Sequence, residues 1–231
     1  MKALAIDTSN LVMGLAVVDG DTVIGDYTTN LKKNHSIRVM PAIHDLLKEM
    51  NMKPNQLDRI VVAKGPGSYT GVRIGVTIAK TLAWTLHKEL VGVSSLEVLA
   101  QNGKYFPGFV CPLFDARRTQ WYTGLYGKKE DGTFGVVKED ALVLRETWLE
   151  QLKALQQPVL FLGNDLPLHQ EAIAEALGSQ AVFGALADHN PRPTELAALG
   201  MMREPEDVHH FVPSYLQLAE AEANWLKAQN K

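Results

Sequence analysis

Two short stretches hold residues whose types and spacing could handle an anion. The first is Gly65-Pro66-Gly67-Ser68-Tyr69-Thr70-Gly71-Val72-Arg73-Ile74-Gly75, set between an apolar strand and a helix. Backbone N–H groups at such a junction can hold phosphate, but the spacing argues against it. A Walker loop needs glycine, four residues and then Gly-Lys-Ser/Thr, and no such run occurs. The dinucleotide fingerprint needs a third glycine where Thr70 stands. The second stretch, Asp7-Thr8-Ser9-Asn10, closes the first apolar run. Asp7, Thr8 and Ser9 are candidates for a residual nucleotide contact; the competing reading is a polar strand end that bonds its own backbone.

Other chemistries lack their residues. Histidines fall at 35, 44, 87, 169, 189, 209 and 210, and none has a second histidine four places later. A metal pair on one helix face needs that spacing. There is no Gly-x-Ser-x-Gly elbow. Cys111, the single cysteine, lies in an apolar run with no base beside it and reads as a small core residue. A second phosphate loop would need glycine after an acid, where Asp115-Ala116-Arg117 offers arginine, and no Gly-Gly pair exists to form an adenosine pocket. We expect no catalytic residue and no metal site.

The helix after the glycine turn carries a different signal. Gly71, Gly75, Ala79 and Ala83 recur every four residues and form one small-residue stripe. Val72, Ile74, Val76, Ile78, Leu82, Trp84 and Leu86 surround it, and charge is confined to Arg73, Lys80 and His87-Lys88. A helix this apolar is either buried or covered by a partner. The expectation is a partner on the stripe, meeting Gly71, Val72, Arg73, Gly75, Val76, Ala79, Leu82 and Ala83. The competing reading packs the stripe into the protein's own core. An earlier helix, residues 36–50, opens on Ser36 as N-cap and adds Met40, Ile43 and Leu47 to the candidate interface. Its Pro41 should kink the first turns unless the helix starts late. An apolar patch of about 400 Å2 would represent roughly 10 kcal/mol before the costs of association, and would favour a homodimer when the partner is absent.

The elements that position these residues follow one order twice. Strands at 3–6, 14–18 and 22–27 precede the helix at 36–50, a strand at 60–63, the helix at 71–87, a strand at 90–93 and a helix from 94 to 101. Strands at 109–114, 120–126 and 133–138 then precede helix 146–155, strand 159–162, helix 166–177, strand 181–183 and helix 194–202. Three antiparallel strands followed by alternating helix and strand are a ribonuclease-H-like arrangement. By analogy, two in tandem make an α/β, actin-like ATPase architecture; the competing reading is one unrelated α/β domain. The first lobe is expected over 1–103 and the second, degenerate lobe over 104–211. A final helix within 212–231 is expected to return to the first lobe.

The chain has 231 residues, 46% of them hydrophobic and 21% charged, with a net charge of -3. Such a chain buries a large core but lacks the basic surplus of a protein that grips nucleic acid alone. One cysteine and an N-terminal run too short for a signal peptide fit a cytoplasmic protein. No stretch reaches the roughly 18 apolar residues of a membrane helix.

The stretch from Gly65 to Gly75 closely resembles the signature of the TsaB family. Ala5-Ile6-Asp7-Thr8-Ser9, His35-Ser36 with Met40-Pro41, Phe114-Asp115-Ala116-Arg117-Arg118 and Val212-Pro213-Ser214-Tyr215-Leu216 are similar to its other segments. The family usually continues that last segment with arginine, where this chain has Gln217. The resemblance implies a non-catalytic partner of TsaD, the enzyme that transfers threonylcarbamoyl to the adenosine beside the anticodon of tRNAs reading codons that begin with A. It implies TsaE, a P-loop ATPase, as a further partner, and contact with tRNA through the complex. ATP or ADP would be held only at an interface with TsaD and TsaE. A stand-alone ATPase or small-molecule kinase is the alternative.

Overall fold

The computed structural model describes residues 1–217, and the helix expected further along the tail lies outside them. β1 (Lys2–Asp7), β2 (Met13–Asp19) and β3 (Thr22–Thr29) form an antiparallel meander; β4 (Arg59–Ala63) and β5 (Glu89–Val93) add in parallel on the other side of β1. The strand order is β3-β2-β1-β4-β5. β6 (Phe109–Asp115), β7 (Gln120–Lys128), β8 (Phe134–Leu144), β9 (Val159–Leu162) and β10 (Ala181–Phe183) repeat it as β10-β9-β6-β7-β8. Two ribonuclease-H-like sheets in tandem are the actin-like architecture. β8 runs six residues past its expected end because it stays paired with β7 up to Leu144.

The central strands β1, β2, β4, β6 and β9 bury both faces, so their residues divide by parity. Leu4, Ile6, Leu15, Val17, Ile60 and Val62 face α1 (Val39–Glu49) and α2 (Tyr69–Leu86). Ala3, Ala5, Ala16, Val18, Val61 and Ala63 face α6 (Pro193–Met201) through Leu196 and Ala197. In the second sheet, Cys111, Leu113 and Phe161 face α4 (Arg145–Lys153) and α5 (Gln170–Leu177), whereas Val110, Phe114 and Leu160 pack on Leu96, Leu99 and Ala100 of α3 (Ser95–Ala100).

This last pairing corrects the division at residues 103 and 211. The last helix of each half lies between the sheets: α3 packs on the second through Leu96, Leu99 and Ala100 and keeps Val98 on the first-sheet cluster, while α6 covers the first. The cause is an unfilled face. Once α1 and α2 cover one side of the first sheet, its alanine-rich side accepts only a helix that can come close, and Gly200 brings α6 against Val61. Arg59 anchors the arrangement: Nη1 donates to the carbonyls of Gly200 (2.8 Å), Met201 (3.2 Å) and Arg203 (2.9 Å).

Local signals at the helix starts resolve as follows. Asn34, not Ser36, caps a short 3-10 turn at His35–Ile37, accepting from the Ser36 N–H at 3.0 Å. α1 starts late, at Val39, so Pro41 sits in the first turn, where an N–H has no helical partner to lose. Ser68 caps α2 by accepting from the Gly71 N–H at 3.3 Å.

Candidate functional site: the first-lobe junction and the outer helix groove

The glycine turn and the Asp7-Thr8-Ser9 turn, far apart in sequence, lock into each other. The Ser68 N–H donates to the Ser9 carbonyl at 2.7 Å, and the Thr8 hydroxyl donates to the Gly71 carbonyl at 2.7 Å. A Cβ on Gly67 would collide with the Ser9 carbonyl, one on Gly71 with the Thr8 carbonyl, and one on Gly75 would stand 2.6 Å from Thr8 Oγ1. The glycines are there so that the first-strand turn can seat against the start of α2. Asp7, Thr8 and Ser9 are 2%, 1% and 0% exposed.

The same geometry sets the surroundings of Asp7. Asp7 Oδ1 accepts from the Ser9 N–H (2.8 Å) and hydroxyl (2.7 Å), and its Oδ2 is buried with no partner among the described residues. Burial pushes the carboxyl above its usual range, against the lowering effect of Ser9 and His35. The turn around this carboxyl is buried, with Asp7, Thr8 and Ser9 all covered. At the matching end of β6, Asp115 Oδ1 lies 3.1 Å from His169 Nε2, and Arg117 takes a left-handed φ of 65° with its side chain outward. The structure places all three first-lobe candidates in the junction with α2.

The stripe on α2 faces inward. Gly71, Val72, Gly75 and Val76 are buried, as are Ala79 at 0% and Ala83 at 1% exposure. The reason is the same close approach: small residues let the helix descend onto β1, β4 and the Thr8 turn. These six are core residues, which corrects their assignment to an outward interface. The outward side of α2 carries Thr77, Thr81 and Thr85, with Ile74, Ile78 and Leu82 half-buried beside them and Trp84 62% exposed. The threonines also recur every four residues, a signal present in the sequence but overshadowed by the glycines.

A groove opens between this outer side and α1. Its volume is about 500 Å3; Met40, Ile43 and Leu47 of α1, Leu82 of α2, and Met52 and Leu57 of the following loop line it. Leu4 forms the floor, and His44, Lys48 and Lys53 stand along the edge. A second concavity of about 470 Å3 continues towards the start of α2, between Ser36, Tyr69, Arg73, Ile74 and Thr77. The structure therefore sets Met40 and Leu82 at the first groove and Ser36 and Arg73 at the second concavity, whereas Ile43 and Leu47 are core residues at the groove's base, which corrects their assignment to an outward interface.

Comparison with known proteins gives these features a context. A family model described as TsaD, tRNA N6-adenosine threonylcarbamoyltransferase, matches residues 22–225. The tRNA threonylcarbamoyladenosine biosynthesis protein TsaB of Bacillus subtilis (strain 168) is 57% identical over 99% of this chain and 100% of its own. The chain belongs to the TsaB family. The Escherichia coli (strain K12) TsaB is 27% identical over 94% of this chain and 95% of its own. By contrast, the tRNA N6-adenosine threonylcarbamoyltransferase of Anaeromyxobacter dehalogenans is 30% identical over 61% of this chain and only 48% of its own. The TsaB-family chain thus aligns with about half of that transferase's length. The YeaZ structure from Pseudomonas aeruginosa matches with a TM-score of 0.74 at 23% identity, over 93% of this chain and 99% of that one, which shows the same fold. Among the described residues no helix is long and apolar enough to cross a membrane, and no three His, Cys, Asp or Glu side chains converge as metal ligands.

Proposed function

We propose that this chain is a non-catalytic partner and activator of a TsaD-type enzyme. The reaction it serves transfers threonylcarbamoyl to the adenosine beside the anticodon of tRNAs reading codons that begin with A. The docking surface is the groove between α1 and the C-terminal half of α2. One observation carries the reading: an apolar groove reaching down to Leu4 lies open between the two helices, with Met40 exposed at its edge, and Trp84 stands exposed elsewhere on α2. A groove this apolar is favourable to fill, and aromatic anchors dominate such contacts. The family name of the chain and its alignment with about half of the longer transferase support an enzyme of that type as occupant. A TsaE-type ATPase joins the assembly, tRNA is met within it, and any ATP or ADP is held by those partners. A second copy of the chain occupies the groove when the enzyme is absent.

The test uses outward residues only. Met40→Asp, Thr81→Arg and Trp84→Ala should each abolish or sharply weaken co-purification with the transferase while leaving the urea midpoint within error of wild type. Retained co-purification in all three would remove the groove from the interface. Sedimentation with and without the enzyme separates heterodimer from homodimer.

A further inference from the structure

We propose that a second surface, at the N-terminal end of α2, contacts the RNA substrate directly. It rests on the reading above only in that the RNA is a tRNA. Tyr69 and Tyr215, each 44% exposed, stack with ring centroids 5.1 Å apart and planes at 30°. The Arg73 guanidinium lies 5.2 Å over the Tyr69 ring and donates from Nη1 to its hydroxyl at 2.7 Å. Two rings and a cation, fixed by one another and left half in water, form a pre-organised stacking face.

The face continues onto the second lobe. The segment carrying Tyr215 is fastened to the first lobe by the Ser214 N–H donating to the Lys64 carbonyl at 2.7 Å. Two residues past Tyr215, Gln217 Oε1 accepts from the Tyr122 hydroxyl at 3.1 Å on β7. From Tyr122 the strand climbs about 7 Å to Gln120, where the β6–β7 turn holds Arg117, Arg118 and Thr119 at φ of 65°, 52° and 59°. Three successive left-handed residues without glycine are costly, and Arg117 among them is exposed to water. Asp115, the acid at the base of that turn, faces His169.

Rings that accept any base, flanked by Arg73 and Arg117 as cations that accept phosphate, are the chemistry that grips single-stranded RNA. The aliphatic groove lies towards the other end of α2, so one helix separates a protein-binding end from an RNA-binding end. The overall charge of -3 fits a chain that adds contacts to an RNA held mainly by its partner.

The experiment measures binding of labelled tRNA by the assembled chain–transferase complex, using Tyr215→Ala, Tyr215→Phe and Arg117→Glu. Tyr215→Ala should raise Kd about tenfold, Tyr215→Phe should restore it, and Arg117→Glu should reduce the salt slope by about 0.7, all with transferase binding intact. Unchanged Kd and salt slope would overturn the proposal. So would loss of transferase binding in these variants, which would make the patch a protein contact. If the wild-type chain fails to bind the transferase, the docking reading fails by itself. A benzophenone side chain at position 215 of the isolated chain then decides: crosslinking to tRNA sustains the RNA surface, and none disproves it.

Discussion

The Thr8 hydroxyl donates 2.7 Å to the carbonyl oxygen of Gly71, while Gly75, one turn on, leaves room for the same hydroxyl. This contact fixes how deeply α2 sits on the first sheet, and it turns the family's glycine signature into a packing device. A side chain at Gly75 has nowhere to go, and a charge at Ala79 would be buried without a partner. Gly75→Leu and Ala79→Glu should therefore lower stability by about 3 kcal/mol or more. Urea titration followed by circular dichroism reads this directly; a folded Gly75→Leu protein with a wild-type midpoint would contradict it.

Asp140 joins the two lobes. It accepts from the Ser94 hydroxyl, at the start of α3, and from the Tyr126 hydroxyl at 2.5 Å. Burial raises its carboxyl pKa, outweighing those two bonds, and the charges of Glu97 and Glu139 add to the rise. A carboxyl whose folded pKa lies above its unfolded value binds more protons when folded. Its stabilising share is present below the unfolded pKa and falls as pH climbs through the folded one. Asp140→Asn should therefore gain stability relative to wild type between pH 4 and pH 7, and paired urea curves at the two pH values check the sign.

The buried Arg59 side chain holds three carbonyls at the end of α6 and pairs with Glu89 at 2.6 Å. Arg59→Met keeps the stem but orphans those carbonyls, at a cost of about 2–4 kcal/mol. Hydrogen exchange should show the loss first in α6 amides, ahead of β1 and β4. Uniform exchange across the first sheet would mean that the anchor is not local.

Burial pushes the Cys111 thiol up to about 11, and its sulfur lies within 3.2 Å of the Thr123 hydroxyl and 3.4 Å of the Trp148 ring nitrogen. Such a thiol reacts only when the second lobe opens. Labelling by an aromatic disulfide reagent at pH 8 should run at least about a thousandfold slower than in urea-unfolded protein. Fast labelling in the native state would disprove a core role for Cys111.

Much of this molecule was legible before any coordinates. Alternating apolar runs, the Asp19-Gly20 and Asp131-Gly132 turns and the late Pro41 mark the elements and their doubled order, because strand and helix periods are local properties of a chain. The four-residue spacing from Gly71 to Ala83 likewise tells which residues share a helix face. It does not tell what that face meets. Only the tertiary structure decided that the glycines turn inward to the Thr8 turn, leaving Thr77, Thr81 and Trp84 outward, since a small-residue stripe suits a sheet below as well as a helix outside. The placement of α3 and α6 between the sheets was hidden for the same reason. Chain order fixes which helix comes next, whereas the face it covers depends on which apolar surface is still open once the other helices have packed.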